Sequence, residues 1–132
     1  ITIEFQGVST SGTSNMLVQL GTGATPTYTT SGYLGARATV FNANSTTAAT
    51  YSAGFLLGDG FAVTYVLHGV MTISLLTGNT WIENHNTSRS DVAMSGTGAG
   101  SIALAAALTA VRVTTVNGTD TFDAGNINIL YE

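Results

Sequence analysis

The fold class is decided by residues 101–116, which read SIALAAALTAVRVTTV. The first ten of these residues are rich in Ala and Leu, which are strong helix formers, so propensity alone predicts a helix. Alternation favours a strand, because Ile102, Leu104 and Leu108 all occupy even positions and the run continues into the β-branched segment 111–116. We therefore predict one strand over residues 102–116.

Alternation of apolar and polar residues with a period of two recurs along the chain, and it indicates strands with one buried face. The predicted strands cover residues 1–5, 16–20, 33–41, 52–57, 61–67, 70–76, 80–83, 102–116 and 126–131. Glycine and asparagine, which tolerate positive φ, mark turns at 11–15, 21–23, 58–60, 78–79, 96–98 and 117–118. Eight or nine short strands predict an all-β protein, a single jelly-roll-like antiparallel β-sandwich over residues 1–132.

Charged residues are scarce in this chain. Its 132 residues include three Arg, no Lys and seven Asp or Glu, a net charge of −4, while 44% are hydrophobic and none is Cys. Nucleic-acid binding relies on clustered Lys and Arg, whereas Arg37, Arg89 and Arg112 stand far apart in sequence. The longest apolar run, 102–108, is much shorter than the roughly 20 residues of a membrane-spanning helix. We expect no nucleic-acid binding, no membrane insertion and no disulfide.

No complete catalytic or metal-binding motif is present in the sequence. Residues 7–12, GVSTSG, resemble the G-x-S-x-G elbow of serine hydrolases but contain one residue too many. His68 lies in an apolar run, which favours a hydrogen-bonded strand residue over a metal ligand. Segment 117–123 has the wrong spacing for a calcium loop and favours an Asx-stabilised turn. We predict no catalytic site, no cofactor and no bound metal.

One segment, residues 79–91, concentrates groups that the rest of the chain lacks. It contains the only Trp of the sequence, one of the two His, one of the three Arg and two acidic residues. Aromatic faces beside polar hydrogen-bonding groups bind sugar and protein surfaces. The candidate ligand contacts are Trp81, Glu83, His85 and Arg89. The alternative is that Trp81 is a core or subunit-contact residue and that the rest is a solvated loop.

Several stretches of the chain resemble one family. They are residues 7–15 (GVSTSGTSN), 18–21 (VQLG), 54–57 (GFLL), 78–81 (GNTW) and above all 111–132 (VRVTTVNGTDTFDAGNINILYE). They look like a domain at the C-terminus of tail-fibre-like virion proteins of tailed bacteriophages and prophages. The resemblance runs from end to end, and its final block is the most specific part. Alternation also begins at Ile1, so we expect the C-terminal piece of a longer protein.

The resemblance implies a virion structural protein whose exposed tip is this domain. Such tips are β-sandwiches and very often homotrimers, attached to other virion proteins through an upstream region. Recognition of a bacterial surface glycan or protein is the expected function. The resemblance also fits a capsid-decoration or head-fibre module, and the third hypothesis is a small glycan-acting enzyme.

Composition independently predicts an oligomer. A compact chain of this length exposes about 6,500 Å² of surface, and ten charged side chains cover little of it. A surface rich in Ala, Val, Thr and Gly is better hidden in a symmetric interface. We expect a homo-oligomer, and the resemblance implies a trimer.

Overall fold

The architecture comes from a computed structural model that describes residues 1–42, 45–58 and 62–131. In these ranges all the regular secondary structure is β, with eleven strands where eight or nine were expected. The strands are β1 (Thr2–Thr10), β2 (Met16–Thr22), β3 (Thr27–Tyr28), β4 (Leu34–Phe41), β5 (Thr46–Tyr51), β6 (Phe55–Leu56), β7 (Leu67–Thr77), β8 (Thr80–Arg89), β9 (Met94–Ala103), β10 (Leu108–Thr115) and β11 (Phe122–Leu130). The predicted all-β fold class is confirmed.

Two antiparallel sheets form a β-sandwich. The large sheet has seven strands in the order β11-β1-β7-β8-β9-β4-β5. In the small sheet, β2 pairs with β10 on one side and with both β3 and β6 on the other. We call the face of the large sheet that the rest of the chain covers its inner face. The predicted sandwich is confirmed, with sheets of unequal width.

The core contains apolar residues from both sheets and from the segments between them. Tyr33 and Phe55 are fully buried, and their rings pack edge to face with centroids 4.9 Å apart. The backbone N–H of Leu20 on β2 donates to Tyr33 Oη at 2.8 Å, which satisfies the phenol inside the core. Burial raises the pKa of Tyr33, so its hydroxyl stays protonated.

Residues 101–116 form strand and no helix, as alternation predicted, but the prediction of one unbroken strand is wrong. β9 ends at Ala103, the chain bends at residues 105–106, and β10 begins at Leu108. β9 belongs to the large sheet and β10 to the small one, and the bend between them carries the chain from one sheet to the other. Leu104 anchors the crossing, since its side chain is buried and its N–H donates to the Asn79 carbonyl at 3.0 Å.

Three further predictions need correction. Residues 96–98 are not a turn, because they lie within β9. In the predicted strand 61–67, residue 61 lies outside the described residues, residues 62–66 form no strand, and β7 begins at Leu67. Of the predicted strand 52–57 only Phe55–Leu56 pairs with a neighbour, while β5, which precedes it, was not predicted. Of the predicted turn 58–60, residues 59 and 60 also lie outside the described residues.

The predicted turns at 78–79 and 117–118 and the histidine interpretation are confirmed, whereas residues 21 and 22 of the predicted turn 21–23 lie within β2. Gly78 has φ of 56° in the β7–β8 hairpin, a conformation that glycine adopts at low cost. Asn117 Oδ1 accepts the backbone N–H of Thr119 at 3.0 Å and that of Asp120 at 3.2 Å, which is the predicted Asx turn. His68 lies on β7, where its Nδ1 accepts the N–H of Gly7 at 3.3 Å.

Candidate functional site

The four predicted contact residues lie on a central strand of the large sheet and not on a loop. β8 pairs with β7 on one side and with β9 on the other. Because all four have odd numbers, they share the inner face of the sheet. Trp81 and Arg89 are about 27 Å apart at the usual rise along a strand. The structure therefore does not bring the four side chains together around one small ligand.

Glu83 and His85 are buried inside the sandwich, with 3% and 1% of their surface exposed. His85 Nδ1 lies 3.0 Å from Glu83 Oε2, and the Tyr51 hydroxyl donates to Glu83 Oε1. Both carboxylate oxygens are thus occupied. Burial, followed by the hydrogen bond to Glu83, raises the pKa of Tyr51, which keeps that hydroxyl protonated. These three residues form an internal network and not a ligand-contacting surface.

Glycines create the space for this network. Gly100 and Gly35 lie between Glu83 and Tyr51 in one row of paired residues across the sheet. A Cβ on Gly100 would lie 2.6 Å from Tyr51 Oη, and one on Gly98 would lie 2.7 Å from His85 Nε2. Glycine is required here because the neighbouring strands' side chains lie directly over the backbone of β9. A Gly-x-Gly-x-Gly repeat with a strand period is the sequence signal that could have located the network.

The Arg89 side chain forms hydrogen bonds and a ring contact with other residues of the chain. Its Nε donates to Asp91 Oδ1 at 3.0 Å, and a second bond joins its other nitrogen to Oδ2. The guanidinium also lies over the Tyr65 ring, 3.2 Å from the centroid. Asp91 Oδ1 further accepts the N–H of Val66 at 3.2 Å. Only 8% of the Arg89 side chain is exposed, so its role in the described structure is to hold the segment before β7 against the end of β8.

Trp81 is the one predicted contact that lines an open cavity. It lies at the start of β8 and forms one side of a groove with a volume of about 260 Å³. The groove is lined by Ile1, Trp81, Leu108, Thr109, Ala110, Val111 and Tyr131. No lining side chain is charged, and 65% of Tyr131 is exposed. Trp81 Nε1 is buried and has no hydrogen-bond partner among the described residues.

This groove can bind a ligand by stacking and hydrogen bonding. Two aromatic side chains supply flat apolar area, while the exposed Tyr131 hydroxyl can direct polar groups of a ligand. Sequence reasoning located Trp81 but missed Tyr131 and the β10 wall. Those residues are far from Trp81 in sequence, and only the packing of β10 across the end of β8 brings them together.

The comparisons assign no family. No family model matches the chain, and the searches of curated proteins and of solved structures gave no match. Within residues 1–42, 45–58 and 62–131 there is no group of three or more His, Asp or Glu side chains placed to hold a metal ion. The same residues contain no helix of the length and hydropathy needed to cross a membrane.

Proposed function

We propose that this chain is the tip domain of a fibre on a tailed-bacteriophage virion, where it attaches the particle to the bacterial surface. The domain acts without catalysis, as a homotrimer, and an upstream region joins it to other virion proteins. The sequence resemblance, strongest over residues 111–132, supports the viral assignment. Those residues include the second part of β10, from residue 111 onward, and all of β11, and they contribute Val111 and Tyr131 to the groove.

The groove beside Trp81 is the observation that best supports the attachment role. It is uncharged, bordered by two aromatic side chains, and placed at an end of a β-sandwich. An uncharged aromatic groove favours a neutral ligand, because a charged group would be desolvated there without a partner. A neutral segment of a surface glycan fits this chemistry, since its apolar ring faces stack on aromatic residues while its hydroxyls can bond to the exposed Tyr131 phenol.

Binding of the labelled chain to bacteria tests the attachment role. We expect saturable binding to a permissive host that extracted surface polysaccharide competes away. Tyr131→Ala should weaken it about tenfold, the effect of losing one aromatic contact. Phe122→Ala is a matched control, because Phe122 lies at the opposite end of β11 and outside the groove lining. Absence of binding to every permissive host would contradict attachment, and equal binding by Tyr131→Ala would exclude the groove.

Location on the particle tests the fibre assignment. Labelled antibody against the chain should mark fibre tips in electron micrographs of virions. Label on capsid faces or vertices would instead identify a decoration or head-fibre module. Release of reducing sugar from host polysaccharide by the purified chain would contradict the non-enzymatic assignment.

A further inference from the structure

A second cavity, beside the small sheet, contains the guanidinium of Arg112. Its volume is about 270 Å³, and we call it the Arg112 pocket. Arg112 on β10 pairs with Gln19 on β2, and its side chain lies on the side of the strand opposite to Val111, which packs against the core. The Arg112 pocket shares no lining residue with the groove beside Trp81. It is therefore a separate place at which the chain could hold a ligand.

Most of the hydrogen-bond donors of Arg112 are unused. A guanidinium has five N–H donors, and only one of them, on Nη2, has an acceptor among the described residues, which is Gln19 Oε1. Nε is buried without a partner. Nη1 has no acceptor in the described part of the chain and is open to solvent. The two N–H groups of Nη1 are thus available to a ligand in the pocket.

The positive charge of Arg112 also has no partner. None of the ion pairs between described residues includes Arg112. Asp120, which follows β10 in the chain, has its carboxylate oxygens occupied by the Ser14 N–H at 3.0 Å and the Asn117 amide at 2.7 Å. The chain has seven acidic residues for three Arg, so acids are not in short supply. An unpaired, partly buried guanidinium with free donors is suited to an anionic group.

Neighbouring residues hold this guanidinium in place. Gln19 is 6% exposed, and its Nε2 donates to the Ala53 carbonyl at 2.7 Å, which directs its Oε1 towards Arg112. The ring of Tyr28 stacks against the guanidinium, with its centroid 4.2 Å from Cζ. Because these contacts already order the Arg112 side chain, an anion can bind with little further loss of conformational entropy.

The remaining lining of the Arg112 pocket suits a sugar ring. The hydroxyls of Thr30 and Thr114 line the pocket and have no partner among the described residues, so they are free to bond to sugar hydroxyls. Leu17 and Val116 contribute apolar surface, and none of the described lining residues is acidic. The volume lies just below the range of about 300–1,000 Å³ that is typical for drug-sized ligands, so one sugar unit is a suitable size.

We propose that the Arg112 pocket binds the carboxylate of an acidic sugar unit. The inference deepens the proposed function, because it rests on attachment to a surface glycan and names a charged component of that glycan. One guanidinium balances the single charge of a carboxylate. A phosphate dianion would retain unbalanced charge in this partly buried site, where an uncompensated charge is costly.

Titration of the isotope-labelled chain with sodium glucuronate, followed by NMR, tests the inference. Sodium chloride keeps the ionic strength constant, so that screening of surface charges does not change. We expect saturable shifts of the amide signals of residues 112–118. Arg112→Gln removes the charge but leaves a polar side chain, and it should raise the dissociation constant at least about tenfold. Arg89→Gln removes the same charge outside the pocket and should leave glucuronate binding unchanged.

A second variant covers the case in which Arg112→Gln does not fold. Thr114→Val keeps Arg112 and the side-chain shape but removes one hydroxyl, and it should weaken glucuronate binding about threefold. Absence of saturable shifts with the wild type would overturn the inference. Unchanged binding by folded Arg112→Gln, or by Thr114→Val if that variant does not fold, would do the same.

Three further ligands separate the parts of the proposal. Glucose has no charge and should bind more weakly than glucuronate, as should acetate, which lacks the sugar ring, and inorganic phosphate. Equal or tighter binding of glucose would overturn the role of the charge, of acetate the role of the sugar, and of phosphate the preference for a carboxylate. Binding to bacteria is measured separately, so glucuronate binding and attachment can each fail without the other.

Discussion

Tyr51 reaches across two intervening strands to donate a hydrogen bond to Glu83. The two residues lie on β5 and β8, and Gly35 and Gly100 occupy the positions between them. Three strand spacings amount to about 14 Å, a distance that the two side chains cover only because neither glycine has a Cβ in the way. Burial of a carboxylate is costly unless its oxygens are occupied, and here Tyr51 and His85 occupy both.

Removing the Tyr51 hydroxyl should show that the burial of Glu83 depends on this hydrogen bond. Tyr51→Phe keeps the ring but leaves Glu83 Oε1 without its donor inside the protein. We expect the free energy of unfolding to fall by about 1–3 kcal/mol, the cost of an unsatisfied buried group. Urea unfolding at neutral pH measures the change. Tyr131→Phe, at an exposed phenol, is the matched control and should have no measurable effect, so equal stability of the two variants would contradict the network.

A methyl group under His85 should lower the free energy of unfolding by a similar amount. Gly98→Ala directs a Cβ at the imidazole ring, which the surrounding core does not let move freely. Overpacking of this kind costs about 1–3 kcal/mol, and thermal and urea unfolding should both report it. Ala99→Ser, one residue further along β9 and facing outward, should change stability by less than about 0.5 kcal/mol. A stable Gly98→Ala variant would mean that His85 has another position available.

These two predictions concern the part of the fold that hydrophobic periodicity could not locate. β1 and β7 alternate apolar and polar residues because their inner sides face an apolar core, β2 is buried on both of its sides, and all three were predicted. β9 has glycine at three successive inner positions, and β8 has Glu83, His85 and Thr87 there. At these inner positions β8 has polar side chains and β9 has glycines without side chains. Their burial therefore produces no alternation of apolar and polar residues in the sequence. Only residues 80–83 of β8 were therefore predicted as strand, the rest of β8 resembled a polar loop, and part of β9 resembled a turn.

Hydrophobic periodicity also could not locate the whole candidate site, because its residues are far apart in sequence. Trp81 stood out in the sequence because it is the only tryptophan. Tyr131 and the β10 wall did not, since their proximity depends on the crossing at Leu104 from the large sheet to the small one. The alternation over residues 102–116 predicted strand correctly but carried no information about where the chain changes sheet. Tertiary packing sets that position.

The pair formed by Arg89 and Asp91 should make stability depend on acid pH. The hydrogen bonds from Arg89 hold the pKa of Asp91 below its ordinary value of 3.8. The folded state therefore binds this proton less readily than the unfolded state. The resulting stabilisation is fully present above about pH 5 and is lost as the pH falls through the folded pKa.

Melting temperatures between about pH 6 and about pH 2.5 measure this contribution. Asp91→Asn should show a smaller decrease on acidification than the wild type, and Arg89→Gln should flatten the profile in the same way. Because the two residues act as a pair, the double variant should resemble either single one. Fully additive effects would show that Asp91 and Arg89 stabilise the fold independently.

Trp81→Phe separates the two roles that the structure allows for this residue. Phenylalanine keeps the apolar ring but removes the buried Nε1–H, which has no partner among the described residues. Loss of an unsatisfied donor offsets the loss of ring volume, so stability should change by less than about 1 kcal/mol, against about 3 kcal/mol for Trp81→Ala. Because the Nε1–H is buried, a ligand in the groove contacts the ring, and Trp81→Phe should bind bacteria like the wild type while Trp81→Ala should weaken binding about tenfold. Weakened binding by a stable Trp81→Phe variant would contradict this and show that the indole N–H reaches the ligand.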